Sequence, residues 1–276
     1  MKLKEYPSSL WRSWQLKRLP ISSLLADHKE DDNEVIISLT SIPSRFGTIP
    51  LVLRSLLSQS TRPAKVVLCL HESAKSQIPK SLKQFESERF EIAYASWDSS
   101  HLKLVRTREL YPEATIVTCD DDLMYAEDWL QRLLDEHKQH PTEIIAHQAR
   151  RVRYNADGEL LPYKQWSSEV EGQSHDDTLA LGYGGVLYPA HCLSEEFNDV
   201  ELFSELTPKA DDLWFKAMSF RQGSKVRRSA QPLPKPQPIA FSQRVALKKS
   251  NIRRDFNREQ WLRLEQHFNF NFAPKG

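Results

Sequence analysis

The sequence is short of the residues that build small cross-linked proteins. Its 276 residues include only 3 cysteines, at Cys69, Cys119 and Cys192, and none belongs to a Cys-x-x-Cys pair. A disulfide scaffold and a cysteine-ligated zinc site are therefore excluded. Because scattered cysteines of this kind are typical of a reducing compartment, we expect a cytoplasmic protein.

Long apolar runs are missing as well. The first residues contain neither the apolar core of a signal peptide nor the roughly 20 apolar residues that a membrane-spanning helix needs. A hydrophobic content of 39% over 276 residues can nevertheless bury a substantial core. One large α/β domain is the simplest interpretation of this size.

An excess of one charge sign is also absent, since the net charge is only +1, but the charges are unevenly distributed. The segment from Arg221 to Arg263 contains 12 Lys and Arg against 2 Asp and Glu. Such a segment attracts phosphates or anionic lipid head groups. A solvated basic face is the alternative, and we expect no nucleic-acid partner.

The first twenty residues combine aromatic and basic side chains, with five basic residues and one acidic residue. Leu10, Trp11 and Trp14 lie among Arg12, Lys17 and Arg18. This composition suits a helix in the interface of a membrane. An N-terminal helix that packs on the domain explains it at least as well.

The apolar pattern predicts a parallel sheet. Residues 35–39 form a β-branched and aliphatic run, which is typical of a strand buried on both faces. Residues 49–57 have helical periodicity, and 66–70 form a second strand, so that the three make a βαβ unit with a right-handed crossover. Further strands at 90–95 and 115–119 extend the sheet to about four strands.

Polar residues follow each of these predicted strands. Ligands of open parallel sheets bind outside the carboxyl ends of the strands, and we therefore expect one mouth to collect these side chains. They are Thr40, Ser41, Pro43 and Arg45 after the first strand, His71 and Glu72 after the second, Trp97 and Asp98 after the third, and Asp120, Asp121 and Asp122 after the fourth.

The triplet Asp120-Asp121-Asp122 is the strongest single signal. Three adjacent carboxylates repel one another, which raises some of their pKa values unless a counter-charge is present. A hard divalent cation with oxygen ligands would supply that charge. A solvated turn whose last Asp caps the next helix is the alternative, but three in a row after a strand favour a site.

Three further features carry possible chemistry. Gly182, Gly184 and Gly185 cluster within four residues, which permits close approach of a ligand or only a tight turn. Asp211 and Asp212 precede an apolar helix, where they serve either as its N-terminal charges or as a general base. Lys248, with Lys249, Arg253 and Arg254, suits a diphosphate if the chain folds back over the mouth; a solvated tail is the alternative.

Four segments, in order and spacing, resemble a bacterial glycosyltransferase family. The family is that of the GT-A type, family 2-like, nucleotide-sugar-dependent transferases of lipopolysaccharide and capsule gene clusters. The segments are Leu39-Thr40-Ser41-Ile42-Pro43-Ser44-Arg45, the Asp triplet with Asp128-Trp129-Leu130, Gly182-Tyr183-Gly184-Gly185-Val186-Leu187-Tyr188-Pro189 and Ala210-Asp211-Asp212-Leu213-Trp214.

The resemblance implies an α/β fold of the GT-A (Rossmann-like) type, with a mixed, mainly parallel sheet flanked by helices. It covers a single domain at residues 34–230. Residues 1–33 are then an N-terminal basic and aromatic extension, and 231–276 are a Pro-rich connector and basic C-terminal helix.

The resemblance also implies roles for individual residues. The triplet corresponds to the Asp-x-Asp motif, with Asp122 as the direct ligand of Mn²⁺ or Mg²⁺, and with Asp120 and Asp121 holding the ribose or the waters of the metal. Asp120 is the second candidate metal ligand. Asp212 corresponds to the catalytic base that deprotonates the acceptor hydroxyl, and Asp211 positions the acceptor or the base.

The remaining implied contacts are with the nucleotide-sugar. Where relatives commonly have consecutive lysines, this chain has His101-Leu102-Lys103-Leu104, so only Lys103 remains as a phosphate ligand. The residues implied on the donor side are Thr40, Ser41, Pro43 and Arg45 at the nucleotide, Glu72 and Asp98 at the base or ribose, and Gly184 and Gly185 beneath the donor sugar and acceptor.

The expected function is therefore an inverting, metal-dependent transfer of a sugar from a nucleotide-sugar, with a UDP-sugar favoured, to a glycan or lipid-linked acceptor. A sugar nucleotidyltransferase is the first alternative, because that class also combines a nucleotide-binding sheet with acidic metal ligands. It usually needs a Gly-rich basic loop after the first strand, and residues 40–47 contain one glycine. A catalytically silent sugar- or nucleotide-binding protein at the membrane is the second.

Overall fold

A seven-stranded sheet organises the chain. The computed structural model describes residues 3–26, 34–240, 242 and 255–273, so that Lys248 lies outside the described residues. The described strands are β1 (Ile36–Thr40), β2 (Lys65–His71), β3 (Phe90–Ala95), β4 (Ile116–Thr118), β5 (Leu123–Met124), β6 (Ile144–Ala146), β7 (Ala149–Arg151), β8 (Thr178–Ala180), β9 (Val186–Tyr188), β10 (Val226–Arg228) and β11 (Gln237–Pro238).

Helices cover the sheet and extend to both ends of the described chain. The described α-helices are α1 (Tyr6–Arg18), α2 (Ile21–Leu25), α3 (Ile49–Leu57), α4 (Lys80–Lys83), α5 (Leu102–Leu110), α6 (Trp129–Gln139), α7 (Val200–Leu206), α8 (Asp211–Gln222) and α9 (Phe256–Phe268). Short 3-10 helices at Pro43–Arg45 and Gly182–Gly184 lie in two of the loops that the resemblance singled out. No helix in the described ranges is long and apolar enough to cross a bilayer.

The sheet is mixed and mainly parallel, as predicted. Its strand order is β10-β6-β9-β4-β1-β2-β3. The pairs β1 with β2, β1 with β4, β2 with β3 and β10 with β6 are parallel. Only β9 runs antiparallel to its neighbours β4 and β6, so the carboxyl ends of the other six strands meet at one edge of the sheet.

The strands form where the sequence pattern predicts them because they are buried on both faces. Every residue of Ile36–Leu39 and of Val66–Leu70 is buried. Helix α3 places Ile49, Val52, Leu53 and Leu56 against this sheet. The sequence at 144–154 has a strand-like pattern, but the structure divides it into β6 and β7, which lie in different sheets. The break falls at His147, whose side chain bonds to the Trp129 carbonyl at 3.0 Å.

Both terminal segments pack on the sheet layers. Leu16 of α1 is buried in the same core as β1 and α3, and the Ser9 hydroxyl donates to the Pro238 carbonyl at 2.7 Å. Trp261 and Leu264 of α9 are buried in the second core beside α8. The boundary of the transferase domain at residues 34 and 230 stays a prediction, although the segments outside it contribute to its cores.

The helical spacing of Trp129, Leu130, Leu133 and Leu134 predicts that they pack in the core. The Trp129 side chain of helix α6 also fixes the glycine-rich loop. Trp129 is buried, and its indole N–H donates to the Gly184 carbonyl at 2.8 Å. Gly185 has φ +100°, and a Cβ built there would lie 2.4 Å from the Trp129 ring. Glycine is therefore required at 185 by both backbone conformation and space.

We predict that Gly185→Ala lowers the free energy of unfolding by more than about 2 kcal/mol, because it adds a strained φ to a clash with a buried ring. Gly47→Ala is the matched control, since a Cβ added at Gly47 would meet no atom within 4 Å and the residue has no positive φ. We expect that control to stay within about 0.5 kcal/mol of the wild type. Chemical denaturation measures both, and equal losses would contradict the packing described.

Candidate active site

The Asp triplet lies at the carboxyl edge of the sheet, between β4 and β5. Asp121 points into the protein and is 4% exposed. Its carboxylate accepts a hydrogen bond from the Ser41 hydroxyl at 2.6 Å and forms a short ion pair with the Arg45 guanidinium. Burial raises the pKa of Asp121, and Arg45 and Ser41 oppose that rise. The loop after β1 thus holds the central carboxylate of the triplet.

Asp120 faces the opposite direction, towards α5. Its carboxylate lies 3.2 Å from the Lys103 ammonium, and its backbone N–H donates to the Tyr125 hydroxyl at 2.8 Å. Helix α5 begins at Leu102, so Lys103 projects from its first turn towards the edge of the sheet. The side chain of Lys103 is only 6% exposed. A buried ammonium needs carboxylate partners to be stable there.

Lys103 finds its second partner on α8. The Asp211 carboxylate lies 3.0 Å from the same ammonium and is 13% exposed. Burial lowers the pKa of Lys103, but Asp211, Asp120 and Asp212 together raise it well above its ordinary value. Lys103 is therefore a permanent cation that joins the Asp triplet to the Asp pair, although the two motifs lie about 90 residues apart in the sequence.

Asp212 is held by the glycine-rich loop. The Gly182 N–H donates to the Asp212 carboxylate at 3.0 Å. A Cβ at position 182 would lie 2.8 Å from that carboxylate oxygen and 3.0 Å from the Lys103 nitrogen. The loop backbone consequently approaches the charged cluster as closely as only glycine permits.

The pKa values of the two carboxylates of the pair are shifted in opposite directions. Burial raises the pKa of Asp211, but Lys103 and His101 outweigh it and bring the value below the usual range. Burial and the Asp211 charge raise the pKa of Asp212 to about 7, against the opposing effect of Lys103. A carboxylate with a pKa near neutrality is suited to accept a proton during a reaction.

Asp122 is the member of the triplet that has no direct ion pair among the described residues. Burial raises its pKa to about 6, with the charges of Asp120 and Asp121 adding to the rise and those of Arg45 and Lys235 opposing it. Among the described residues, its carboxylate forms no side-chain hydrogen bond or ion pair. The negative charge of Asp122 would be compensated by a divalent cation bound to its carboxylate, with Asp120 as the second ligand.

The described residues do not contain a ready-made cage of three or more His, Cys, Asp or Glu side chains for a metal. Mg²⁺ in phosphate-transfer sites is commonly held by one or two carboxylates together with substrate phosphates and water. Asp122 and Asp120 fit that mode of binding. The Mn²⁺ or Mg²⁺ requirement stays a prediction for this chain.

The other predicted residues occupy different parts of the edge. Thr40 donates its hydroxyl to the Cys69 carbonyl at 2.9 Å, and Pro43 starts the turn that carries Arg45. Glu72 and Asp98 are exposed after β2 and β3. Gly184 and Gly185 lie against Gln148 and Trp129. The nucleotide contacts predicted for these residues remain untested.

The sequence pattern does not mark several side chains at or near the glycine-rich loop and β7. Tyr183 belongs to the glycine-rich loop, but its ring was not assigned a role; the Lys235 ammonium lies 5.5 Å from that ring. Arg150 on β7 lies 4.9 Å from the ring of Tyr163. No local motif marks Arg150, Tyr163 or Lys235, because they come from three separate segments that only the fold brings together.

Comparison with known proteins supports the fold and leaves the activity open. No family model and no curated protein matches the sequence. A mannosyltransferase from Pyrobaculum calidifontis, solved in complex with GDP-Man and Mn²⁺, is similar with a TM-score of 0.51 and 12% identity, over 98% of this chain and 74% of that chain.

A second similar structure is the 4-diphosphocytidyl-2C-methyl-D-erythritol synthase from Anaerococcus prevotii. It has a TM-score of 0.48 and 12% identity, over 84% of this chain and 96% of that chain. The predicted GT-A-like, Rossmann-like α/β fold is confirmed. The proposed placement in lipopolysaccharide or capsule synthesis is not tested by these likenesses.

We predict opposite effects of two neutralising substitutions on stability. The folded-state pKa of Asp212, about 7, lies above the value of 3.8 for a free side chain, so stability is lost as the pH rises between these two values and stays level above them. Asp212→Asn keeps an acceptor for the Gly182 N–H and removes that cost. It should raise the melting temperature at pH 8, and less so at pH 5.

Asp211→Asn is the matched variant on the adjacent residue. The folded-state pKa of Asp211 is lowered, so its stabilising effect is present above the unfolded pKa and is lost only at acid pH. Removing the charge should cost about 2 kcal/mol or more at pH 8, because Lys103 loses its closest partner. Differential scanning calorimetry measures both variants, and the same sign for both at pH 8 would disprove the assignment.

Proposed function

We propose that the protein is a metal-dependent glycosyltransferase that moves a sugar from a nucleotide-sugar to a hydroxyl of a glycan or lipid-linked acceptor. One observation supports this most directly. The Lys103 ammonium binds both Asp120 of the triplet and Asp211 of the pair. This brings Asp122, with a pKa of about 6 and no ion pair among the described residues, and Asp212, with a pKa of about 7, to the same edge of the sheet.

The donor side of this proposal is built on the triplet. Asp122, with Asp120, would hold Mn²⁺ or Mg²⁺, which when bound offsets the negative charge of the departing diphosphate. The loop after β1, with Thr40, Ser41, Pro43 and Arg45, would then face the nucleotide. In this arrangement Arg45 has a structural task too, since it neutralises Asp121.

The acceptor side is built on the pair. Asp212 would take the proton from the acceptor hydroxyl as its oxygen forms a bond to the anomeric carbon, while the bond from that carbon to the diphosphate oxygen breaks. Attack opposite the leaving group inverts the anomeric centre. Asp211 would stay ionised against Lys103, keeping the proton affinity of Asp212 high through its negative charge.

A sugar nucleotidyltransferase is the competing function, because it uses the same kind of sheet and acidic metal ligands. Where its substrate is a sugar phosphate, the nucleophile is already an anionic oxygen and needs no base with a raised pKa. The loop after β1 also carries a single glycine, Gly47, where that class usually has a Gly-rich basic loop. Both features favour the glycosyltransferase, and a silent binding protein remains the third possibility.

We predict that Asp122→Asn lowers metal-dependent transfer or donor hydrolysis by about 100-fold or more, since one fixed charge at the diphosphate is lost. Calorimetry with UDP or GDP and Mn²⁺ should show that the variant loses the metal-dependent part of nucleotide binding. Asp135→Asn, an exposed carboxylate on α6, is the control and should behave as the wild type.

The same assay separates the alternatives. Slow release of nucleoside diphosphate from a UDP- or GDP-sugar supports the glycosyltransferase. Release of pyrophosphate from a nucleoside triphosphate and a sugar phosphate would instead establish the nucleotidyltransferase. Full activity of Asp122→Asn would contradict the proposed role of the triplet.

We further propose that the protein works at a membrane surface, which it contacts through the outer face of α1. Leu10, Trp11 and Trp14 are 52%, 60% and 43% exposed on that face. Trp11 and Trp14 stack at 4.9 Å, and α1 contains no acidic residue. Tryptophans with neighbouring Lys and Arg are the composition that binds the interface of anionic bilayers.

Reversing two charges on this face should weaken membrane binding. We predict that Lys17→Glu with Arg18→Glu lowers binding to vesicles of phosphatidylcholine and phosphatidylglycerol by more than about tenfold, because each basic residue contributes about 1 kcal/mol. Lys80→Glu with Lys83→Glu on α4 is the matched control and should have little effect. Co-sedimentation measures both; a wild-type protein that ignores anionic vesicles would disprove this part.

A further inference from the structure

Arg150 carries a charge that no carboxylate of the described chain neutralises. The residue after it, Arg151, lies on the other face of β7 and binds the Asp177 carboxylate through three hydrogen bonds of 2.9 to 3.1 Å. Arg150 instead donates to the Tyr163 carbonyl at 3.0 Å and lies over the Tyr163 ring. Its contacts within the described residues are otherwise a β-bridge and the sheet pairing of its backbone.

Two tyrosines, Tyr163 and Tyr183, relate Arg150 to Asp212. Tyr183 follows Gly182, whose N–H donates to the Asp212 carboxylate. Burial raises the pKa of Tyr163 to about 12, with Asp212 adding to the rise and Arg150 opposing it. Burial also raises the pKa of Tyr183, where Arg150 and Asp212 again act in opposite directions. The strand pairing places these groups together: β7, which carries Arg150, pairs with β8, and the Leu181 N–H donates to the Gln148 carbonyl at 2.9 Å, so the glycine-rich loop with Tyr183 continues from the strand beside Arg150.

This set of groups has a definite chemistry. Both tyrosines are partly exposed, so the uncovered part of each ring can contact the C–H groups of a sugar ring. An arginine without a carboxylate partner is suited to bind a carboxylate or a phosphate, since its planar fork donates two parallel hydrogen bonds. Arg150 lies on β7, so strand pairing fixes the position of the backbone that carries its guanidinium.

We propose that Arg150, Tyr163 and Tyr183 form an acceptor subsite beside Asp212, and that this subsite takes a sugar bearing a carboxylate or phosphate. The inference rests on the proposed function, because it treats Asp212 as the base for the acceptor hydroxyl. It narrows the acceptor from any glycan or glycolipid to one that is anionic close to the reacting hydroxyl.

A purely structural role for Arg150 is the competing explanation, since its hydrogen bond to the Tyr163 carbonyl also holds the turn at Tyr163–Gln165. That role predicts a loss of stability when Arg150 is replaced and no preference for anionic sugars. The two explanations therefore differ in a binding preference that a structural role would not change.

The test uses the full chain with Mg²⁺ and whichever of UDP or GDP binds more tightly. Methyl β-glucuronide, glucose 6-phosphate and methyl β-glucoside are titrated and followed by saturation-transfer NMR. We expect at least one anionic sugar to bind about tenfold more tightly than the neutral glucoside. Preference for the glucuronide identifies a carboxylate, and preference for glucose 6-phosphate identifies a phosphate.

Two variants test whether Arg150 causes the preference for anionic sugars. Arg150→Gln should abolish it, and Arg153→Gln, an exposed arginine three residues along the chain, should retain it. If Arg150→Gln fails to fold, the wild type replaces it: raising the salt concentration should reduce the preference, since salt screens a partly exposed ion pair.

Three results would overturn the inference: equal binding of all three sugars, binding of none of them with the nucleotide in place, or a preference that survives in Arg150→Gln. A wild-type preference that is insensitive to salt would count against it equally. Failure of both UDP and GDP to bind would overturn the proposed function itself, which keeps the two claims separable.

Discussion

The buried ammonium of Lys103 is the interaction on which the site depends. A charge removed from water is stable only when fixed partners compensate its lost hydration. Lys103 has such partners in Asp120, after β4, and Asp211, at the start of α8. Because these motifs come from distant parts of the sequence, one ion-paired cluster fixes how α5, α8 and the edge of the sheet meet. Gly182 then fits against the same cluster, since no larger residue would leave room for Lys103 and Asp212.

The two acidic motifs follow one electrostatic rule. In each, a basic residue pairs with one carboxylate, while burial and the neighbouring negative charges raise the pKa of the carboxylate beside it. Arg45 pairs with Asp121 and leaves Asp122 in deficit of positive charge; Lys103 pairs with Asp211 and leaves Asp212 with a pKa of about 7. A divalent cation would neutralise Asp122, and a proton from the substrate would neutralise Asp212. The same arrangement thus separates a candidate metal ligand from a candidate base.

Much of this arrangement can be predicted from the sequence, and the missing part has a physical reason. Local periodicity predicts β1, α3 and the strand before the Asp triplet, because each is buried along a continuous stretch of chain. It also puts Trp129 in the core, where the ring packs on Gly185. The pairing of Lys103 with Asp211, and the approach of Arg150 to Tyr163, depend on long-range packing that leaves no local pattern.

The most direct test of the account is a crystal structure with Mn²⁺ and the bound nucleoside diphosphate, in which anomalous scattering locates the metal. The account predicts the manganese peak at a coordination distance from the Asp122 carboxylate, between that side chain and the diphosphate. It also predicts Asp212 on the acceptor side of the donor sugar site, still bonded to the Gly182 N–H. A manganese peak away from the triplet, or a nucleotide bound at another edge of the sheet, would contradict it.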